Sequence, residues 1–176
     1  MAKREALRDL QSRLADRLQA ATTQAASAAW LAVRVGPLKA LFPLTQSGEI
    51  FPLTTVAPVP YARPWFLGVV NLRGGLFGVV DLAGFVAGSA GQKRSEQSWA
   101  DARLVTFNAE LELNCALLVD ALVGLRRPDA FASFEPAPAG SPAYFGHRFL
   151  DAEGGTWQEI DLRLLSETAE FLSIGA

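Results

Sequence analysis

The chain has 176 residues, of which 50% are hydrophobic and 19% are charged, and its formal net charge is −2 with a pI of about 5.4. This length is typical of one domain, or of two small lobes that share a core. The weak negative charge argues against binding to nucleic acid or insertion at an anionic membrane surface, because both depend on a basic field.

The first predicted element is an amphipathic helix over residues 3–20, which opens an arm and tether that end at residue 28. Its start is charged rather than apolar, which argues against a secretory signal. The helix could dock on a partner, pair with another copy, fold back on its own domain or form a solvated arm, and amphipathicity alone does not separate these alternatives. Leucines repeat at helical spacing along one narrow face: Leu7, Leu10, Leu14 and Leu18.

The most informative stretch runs from Pro64 to Leu82, where two apolar segments of strand length flank Arg73-Gly74-Gly75. Adjacent glycines supply the positive φ angles of a tight turn, so this stretch predicts a β-hairpin. Val, Leu and Phe occupy both alternating faces, which is typical of strands covered on both sides. Arg73 at the tip is a candidate contact with a partner. The alternatives are a solvated arginine, or one held by Glu49 or Asp81.

A small and polar stretch from Gly84 to Trp99 has the composition of a flexible connection. After it, the sequence predicts a hairpin that turns near Asn108–Glu110 and a further strand over Cys115–Leu125. Prolines starting at Pro128 then interrupt regular structure in an alanine-rich loop.

A final hairpin is predicted to turn at Glu153–Gly155 and to lead into a short helix from Leu162 to about Phe171. No apolar run reaches the roughly 18 residues of a membrane-spanning helix. Many short strands separated by turn signals predict a mainly β sandwich or barrel.

The residues that carry chemistry in enzymes are sparse here. Asp81 and Asp161 each follow an apolar strand and precede a helical turn, so both are interpreted as helix N-caps. Cys115 lies in a predicted strand, where a buried inert thiol is expected, and a single cysteine fits a reducing compartment. His147 is the only histidine and has no assigned task. We therefore expect no enzymatic activity, no cofactor and no metal site.

The hairpin also resembles the signature of CheW-like coupling proteins, Gly-Val-x-Asn-Leu-Arg-Gly followed by Asp-Leu, at Gly68–Gly74 and Val79–Leu82. The resemblance covers roughly residues 29–173. The Trp30 start, the long arm and the Trp-rich ending resemble the PilI branch, which serves type IV pilus twitching motility. Further matching segments are Glu49-Ile50, Pro58–Pro60, Leu118–Asp120 and Trp157–Leu162.

The resemblance implies a mainly β, CheW-like fold in which two small five-stranded SH3-like barrels share a core, with the N-terminal amphipathic helix and a short C-terminal helix added. It implies an arm over residues 1–28 and a CheW-like domain over residues 29–173, with lobes at about 29–88 and 100–173.

By the same resemblance, the chain is expected to be a non-catalytic adaptor in chemotaxis or twitching motility. It would link the cytoplasmic tip of a methyl-accepting receptor to the regulatory domain of a CheA-type histidine kinase, in the cytoplasm at inner-membrane receptor arrays. The kinase-binding residues are not identified. The alternative is a stand-alone β-barrel module that binds a peptide or polysaccharide through exposed aromatic residues. The expected receptor-binding residues are Arg73, Gly68, Asn71, Glu49, Ile50 and Trp65.

Overall fold

The structure, a computed structural model, describes Arg13, residues 29–89 and residues 94–176. Apart from Arg13, the helix predicted over residues 3–20 lies outside the described residues. The described part contains eleven strands: β1 (Trp30–Val35), β2 (Leu38–Pro43), β3 (Ser47–Pro52), β4 (Phe66–Leu72), β5 (Gly75–Asp81), β6 (Arg103–Phe107), β7 (Cys115–Val119), β8 (Ala121–Arg126), β9 (Phe131–Glu135), β10 (Phe145–Asp151) and β11 (Thr156–Ile160).

Short helices connect or follow these strands: α1 (Leu82–Ala87), α2 (Glu96–Asp101), α3 (Leu162–Glu167) and α4 (Ala169–Leu172), with 3-10 turns at Ala109–Leu111 and Pro128–Ala130. No helix among the described residues combines the length and the apolar character that crossing a membrane requires.

The strands form two mixed sheets, and each sheet takes strands from both halves of the chain. The first sheet has six strands in the order β8-β1-β2-β11-β10-β9, and the second has five in the order β3-β6-β7-β5-β4. Neighbouring strands are antiparallel except for β2 with β11 and β5 with β7. The prediction of a mainly β protein is confirmed.

The hairpin predicted between Pro64 and Leu82 is present as β4 and β5, which pair antiparallel up to Leu72 opposite Gly75. Its two-residue turn consists of Arg73 and Gly74, with φ angles of 50° and 85°. The turn therefore lies one residue earlier than the glycine pair suggests. Two positive φ angles give a turn whose twist matches that of the flanking strands.

The central strands are buried on both faces, as their composition predicts. In β7, Cys115, Leu117 and Val119 belong to the large core between the sheets, whereas Ala116 and Leu118 face a smaller cluster inside the second sheet. A third cluster lies on the other face of the first sheet, around Ala32, Leu41, Phe149 and Trp157. Alternation with period two assigns the side chains of β7 to two apolar layers at once.

Four predicted segments are divided differently in the structure. The run over Cys115–Leu125 is not one strand, because Asp120 separates β7 in the second sheet from β8 in the first. The proline-rich region after Pro128 contains β9, which pairs with β10 at the edge of the first sheet. The stretch from Gly84 to Trp99, predicted to be a flexible connection, includes the end of α1 and the start of α2. The last helix is broken at Thr168 into α3 and α4.

Burial makes the single thiol unreactive, which gives a direct chemical prediction. Cys115 is 6% exposed, and loss of hydration raises the pKa of its thiol to about 12. Since the thiolate is the reactive form, we expect no reaction with Ellman's reagent at pH 8 in the native protein and one thiol per chain in guanidinium. Rapid labelling of the native protein would contradict the buried position.

Candidate functional site

The tip of the β4–β5 hairpin carries an exposed ion pair with the neighbouring strand β3. Nη1 of Arg73 lies 2.6 Å from Oε2 of Glu49, and the two side chains are 73% and 55% exposed. The Arg73 guanidinium also lies over the ring of Phe51, 5.6 Å from its centroid. Strands β3 and β4 are opposite edges of the second sheet. These contacts therefore place the hairpin tip against the opposite edge strand of the sheet.

Two exposed apolar residues lie close to this ion pair in sequence. Ile50 follows Glu49 in β3 and is 40% exposed, and Leu76 lies opposite Asn71 in the hairpin and is 62% exposed. We call Arg73, Glu49, Ile50 and Leu76 the hairpin-tip patch. Leu76 was missed by the sequence analysis, because the apolar run around it gives no signal that separates an exposed leucine from a buried one.

Two of the predicted site residues shape the hairpin. Oδ1 of Asn71 accepts a hydrogen bond of 3.0 Å from the Gly74 N–H and so holds the turn. Gly68 has φ 133°, and a Cβ there would overlap the Ala57 carbonyl. That close approach lets Ala57 pair with Val69 through two backbone hydrogen bonds, of 2.8 and 2.9 Å. Any side chain at residue 68 would push this segment away from β4.

Trp65 has a different place from the one expected. It is 4% exposed and packs in the main core against Phe85 and Phe171, at ring-centroid distances of 5.0 and 6.4 Å. An indole buried in this way has no surface to offer a partner. The expectation of Trp65 as a receptor-binding side chain is therefore corrected: it supports the hairpin from within the core.

A second polar constellation, which we call the Arg94 cluster, lies inside the protein and was not predicted. Nη1 and Nη2 of Arg94 donate to the two carboxylate oxygens of Asp81 at 2.9 and 2.7 Å, and its Nε donates to Asp120. The guanidinium also stacks over Trp99 at 5.3 Å. The side chains of Arg94 and Asp81 are only 6% and 2% exposed. Hydrogen bonding to Asp81 raises the pKa of Arg94 above its ordinary value, so the guanidinium stays charged despite its burial.

The Arg94 cluster ties the two sheets together. Asp81 ends β5 in the second sheet, while Asp120 lies between the sheets and accepts a hydrogen bond from Gly36 in the β1–β2 turn. Asp81 occupies the N-cap position of α1 as predicted, but the predicted capping hydrogen bond is wrong, because its side chain bonds Arg94 and makes no cap hydrogen bond to α1. The same prediction is confirmed for Asp161, whose carboxylate accepts from the Leu164 N–H at 2.9 Å.

The remaining titratable residues form no recognisable reaction centre in the described part of the chain. His147 is exposed, with Nδ1 4.0 Å from Glu159 and its ring edge against Phe134. Across residues 29–89 and 94–176, no group of three or more His, Cys, Asp or Glu side chains is placed to hold a metal ion.

Comparison with known proteins adds family and fold. A family model of the CheW-like domain matches residues 29–170. Protein PilI of Pseudomonas aeruginosa is 25% identical over 164 residues, which cover 92% of this chain and 88% of that protein. The crystal structure of scaffolding protein TtCheW from Thermoanaerobacter tengcongensis matches with a TM-score of 0.62 at 17% identity, covering 82% of this chain and 95% of that one. This structural likeness confirms the predicted CheW-like fold.

Proposed function

The chain belongs to the CheW-like domain family, and we propose that it is a non-catalytic adaptor that couples methyl-accepting receptors to a CheA-type histidine kinase. The observation that carries the proposal is the hairpin-tip patch. The patch lies within the matched domain. Arg73 belongs to the signature, and the family resemblance assigns this region to the receptor contact. The patch exposes this arginine together with two apolar residues.

The receptor tip is proposed to bind across the hairpin-tip patch. Arginine flanked by exposed apolar residues is the composition enriched at binding hot spots. Ile50 and Leu76 supply apolar surface, while Arg73 and Glu49 present both charges to the polar positions of a receptor helix. Gly68 and Asn71 act indirectly by fixing the shape of the hairpin.

The kinase side of the proposal rests on shared architecture. By family resemblance, the regulatory domain of a CheA-type kinase has the same pair of barrels, so the two proteins would associate through barrel ends and strand edges. Holding receptor and kinase in one complex raises their effective concentration and couples receptor state to kinase activity. Similarity to PilI supports a role in type IV pilus twitching motility. We place the protein in the cytoplasm, recruited to the inner membrane by receptor arrays.

Kinase activity in a reconstituted system tests this proposal. Receptor-bearing membranes and the CheA-type kinase of the same organism are mixed with or without this protein, and kinase autophosphorylation is followed after the receptor stimulus. We expect the stimulus to change autophosphorylation only when the protein is present. A response of equal size in its absence would contradict coupling. Binding of a peptide or polysaccharide with no effect on the kinase would favour the stand-alone module.

A further inference from the structure

An apolar groove opens at the outer end of the first sheet, away from the hairpin-tip patch. It encloses about 480 Å³, and its rim includes the exposed residues Ala132 and Ser133. Ring contacts at centroid distances of 4.9 to 5.9 Å link its aromatic side chains into one cluster. We call it the aromatic groove; its other lining residues are Trp30, Pro128, Phe131, Phe134 and Phe149.

The aromatic groove is uncovered in the described part of the chain, and its lining is uncharged. Phe134 is 66% exposed, so most of its ring is open to solvent. The lining of the groove contains no charged side chain, so its floor is apolar and neutral. The charged residues that neighbour the lining in sequence are paired, Arg148 with Glu135 and Arg127 with Asp129. The groove suits an apolar stripe better than a charged ligand.

We propose that the occupant is the leucine stripe of residues 3–20 of the same chain. The described chain resumes beside the groove, because Ala29 is fixed by hydrogen bonds to Arg126 and Leu44, and the next residue, Trp30, forms one wall. The indole of Trp30 is itself held by a hydrogen bond of 2.7 Å to Glu159. The segment from Leu18 to Ala29 can span up to about 35 Å when extended, which is enough to bring the stripe back over the groove.

Tethering makes a modest apolar contact sufficient. A segment joined by a short linker meets its site at an effective concentration of about millimolar, so docking needs little intrinsic affinity. The stripe and the groove are complementary because both are apolar: the stripe consists of leucines, and the groove is lined mainly by aromatic rings. An isolated helix of this length is marginal in water, so packing against the groove would stabilise it.

A double-mutant cycle in the full-length protein tests the docking. We expect Leu10→Glu with Leu14→Glu to lower the thermal midpoint, and Phe134→Ser to lower it as well. The protein that carries all three substitutions should have the same thermal midpoint as the variant with Leu10→Glu and Leu14→Glu, because the arm and groove substitutions remove the same contact. Leu76→Ser is the matched control, since that leucine is 62% exposed and lies in the other sheet; its effect should add to that of the arm variant. Additive effects of Phe134→Ser, or unchanged midpoints, would overturn the proposal.

Cross-linking identifies whose arm occupies the groove. Cys115 is buried and unreactive, so Gln11→Cys with Ser133→Cys places the two reactive thiols beside the stripe and at the rim. We expect a short bismaleimide to link them within one chain. Asp16→Cys with Ser133→Cys is the control, because residue 16 falls on the opposite face of the predicted helix and should link weakly. A cross-linked dimer would show that the arm of a second copy occupies the groove. The absence of any cross-linked product would show that the arm does not occupy it. Either result contradicts the proposal.

Discussion

Replacing Arg94 with alanine is expected to lower the free energy of unfolding by about 3–5 kcal/mol, the cost of leaving a buried charge without its partner. Asp81 is 1% exposed and receives both of its side-chain hydrogen bonds from Arg94. Without the guanidinium, the Asp81 carboxylate stays buried but loses the hydrogen bonds and the opposite charge that stabilise it. Asp120 loses the hydrogen bond from Arg94 and keeps the one from the Gly36 N–H. Urea unfolding at neutral pH measures the effect directly.

Two control variants separate this effect from a general loss of charge. Arg127→Ala removes an exposed arginine paired with Asp129 and should cost less than about 1 kcal/mol. Arg94→Lys keeps the charge, yet an ammonium cannot match the planar fork that binds Asp81 and Asp120 together, so an intermediate loss is expected. An Arg94→Ala protein as stable as the wild type would show that the cluster does not hold the sheets.

Arg73→Glu is expected to leave the fold intact and to weaken receptor association by about tenfold or more, which corresponds to about 1.4 kcal/mol. The side chain is 73% exposed, so the substitution should change stability by under about 0.5 kcal/mol. It places two carboxylates where Arg73 and Glu49 now form a pair, and reverses the charge that the proposed receptor helix meets. Co-sedimentation with receptor-bearing membranes gives the apparent affinity.

The matched control for this prediction is Arg127→Glu, a charge reversal at an exposed arginine that follows β8 of the other sheet. It should leave receptor association unchanged while altering net charge by the same amount. If Arg73→Glu also co-sediments like the wild type, the hairpin-tip patch is not the receptor contact. The proposed adaptor would then have to bind the receptor through another surface.

The hairpin was predictable because its signals are local: strand-length apolar runs, a glycine in the turn and two-sided burial. The Arg94 cluster was not, since its members meet only after distant strands have paired. Gly84–Trp99 has the polar composition of a connecting loop. The sequence does not show that Arg94 within it neutralises the buried carboxylate of Asp81. The run over Cys115–Leu125 was read as one strand because apolar composition does not show that Asp120 carries the chain from one sheet to the other.

The candidate site was predicted in part for the same reason. Glu49 was one of the two residues considered as holding Arg73, as the alternative to a partner contact, and the two side chains form an ion pair. Trp65 was assigned to the surface although it is buried, and the exposed Leu76 was missed. Apolar residues on both faces of a strand do not reveal which side chains reach solvent. Asp81 and Asp161 look alike in sequence and differ in the structure, because only Asp81 meets a buried arginine.

The central claim is that this protein joins receptor and kinase, and one measurement tests it most directly. A CheA-type kinase from the same organism is sedimented with receptor-bearing membranes in the presence and absence of the protein. The account predicts that the kinase pellets with the membranes only when the protein is present. A kinase that pellets equally without it, or a protein that pellets with neither partner, would contradict the coupling role.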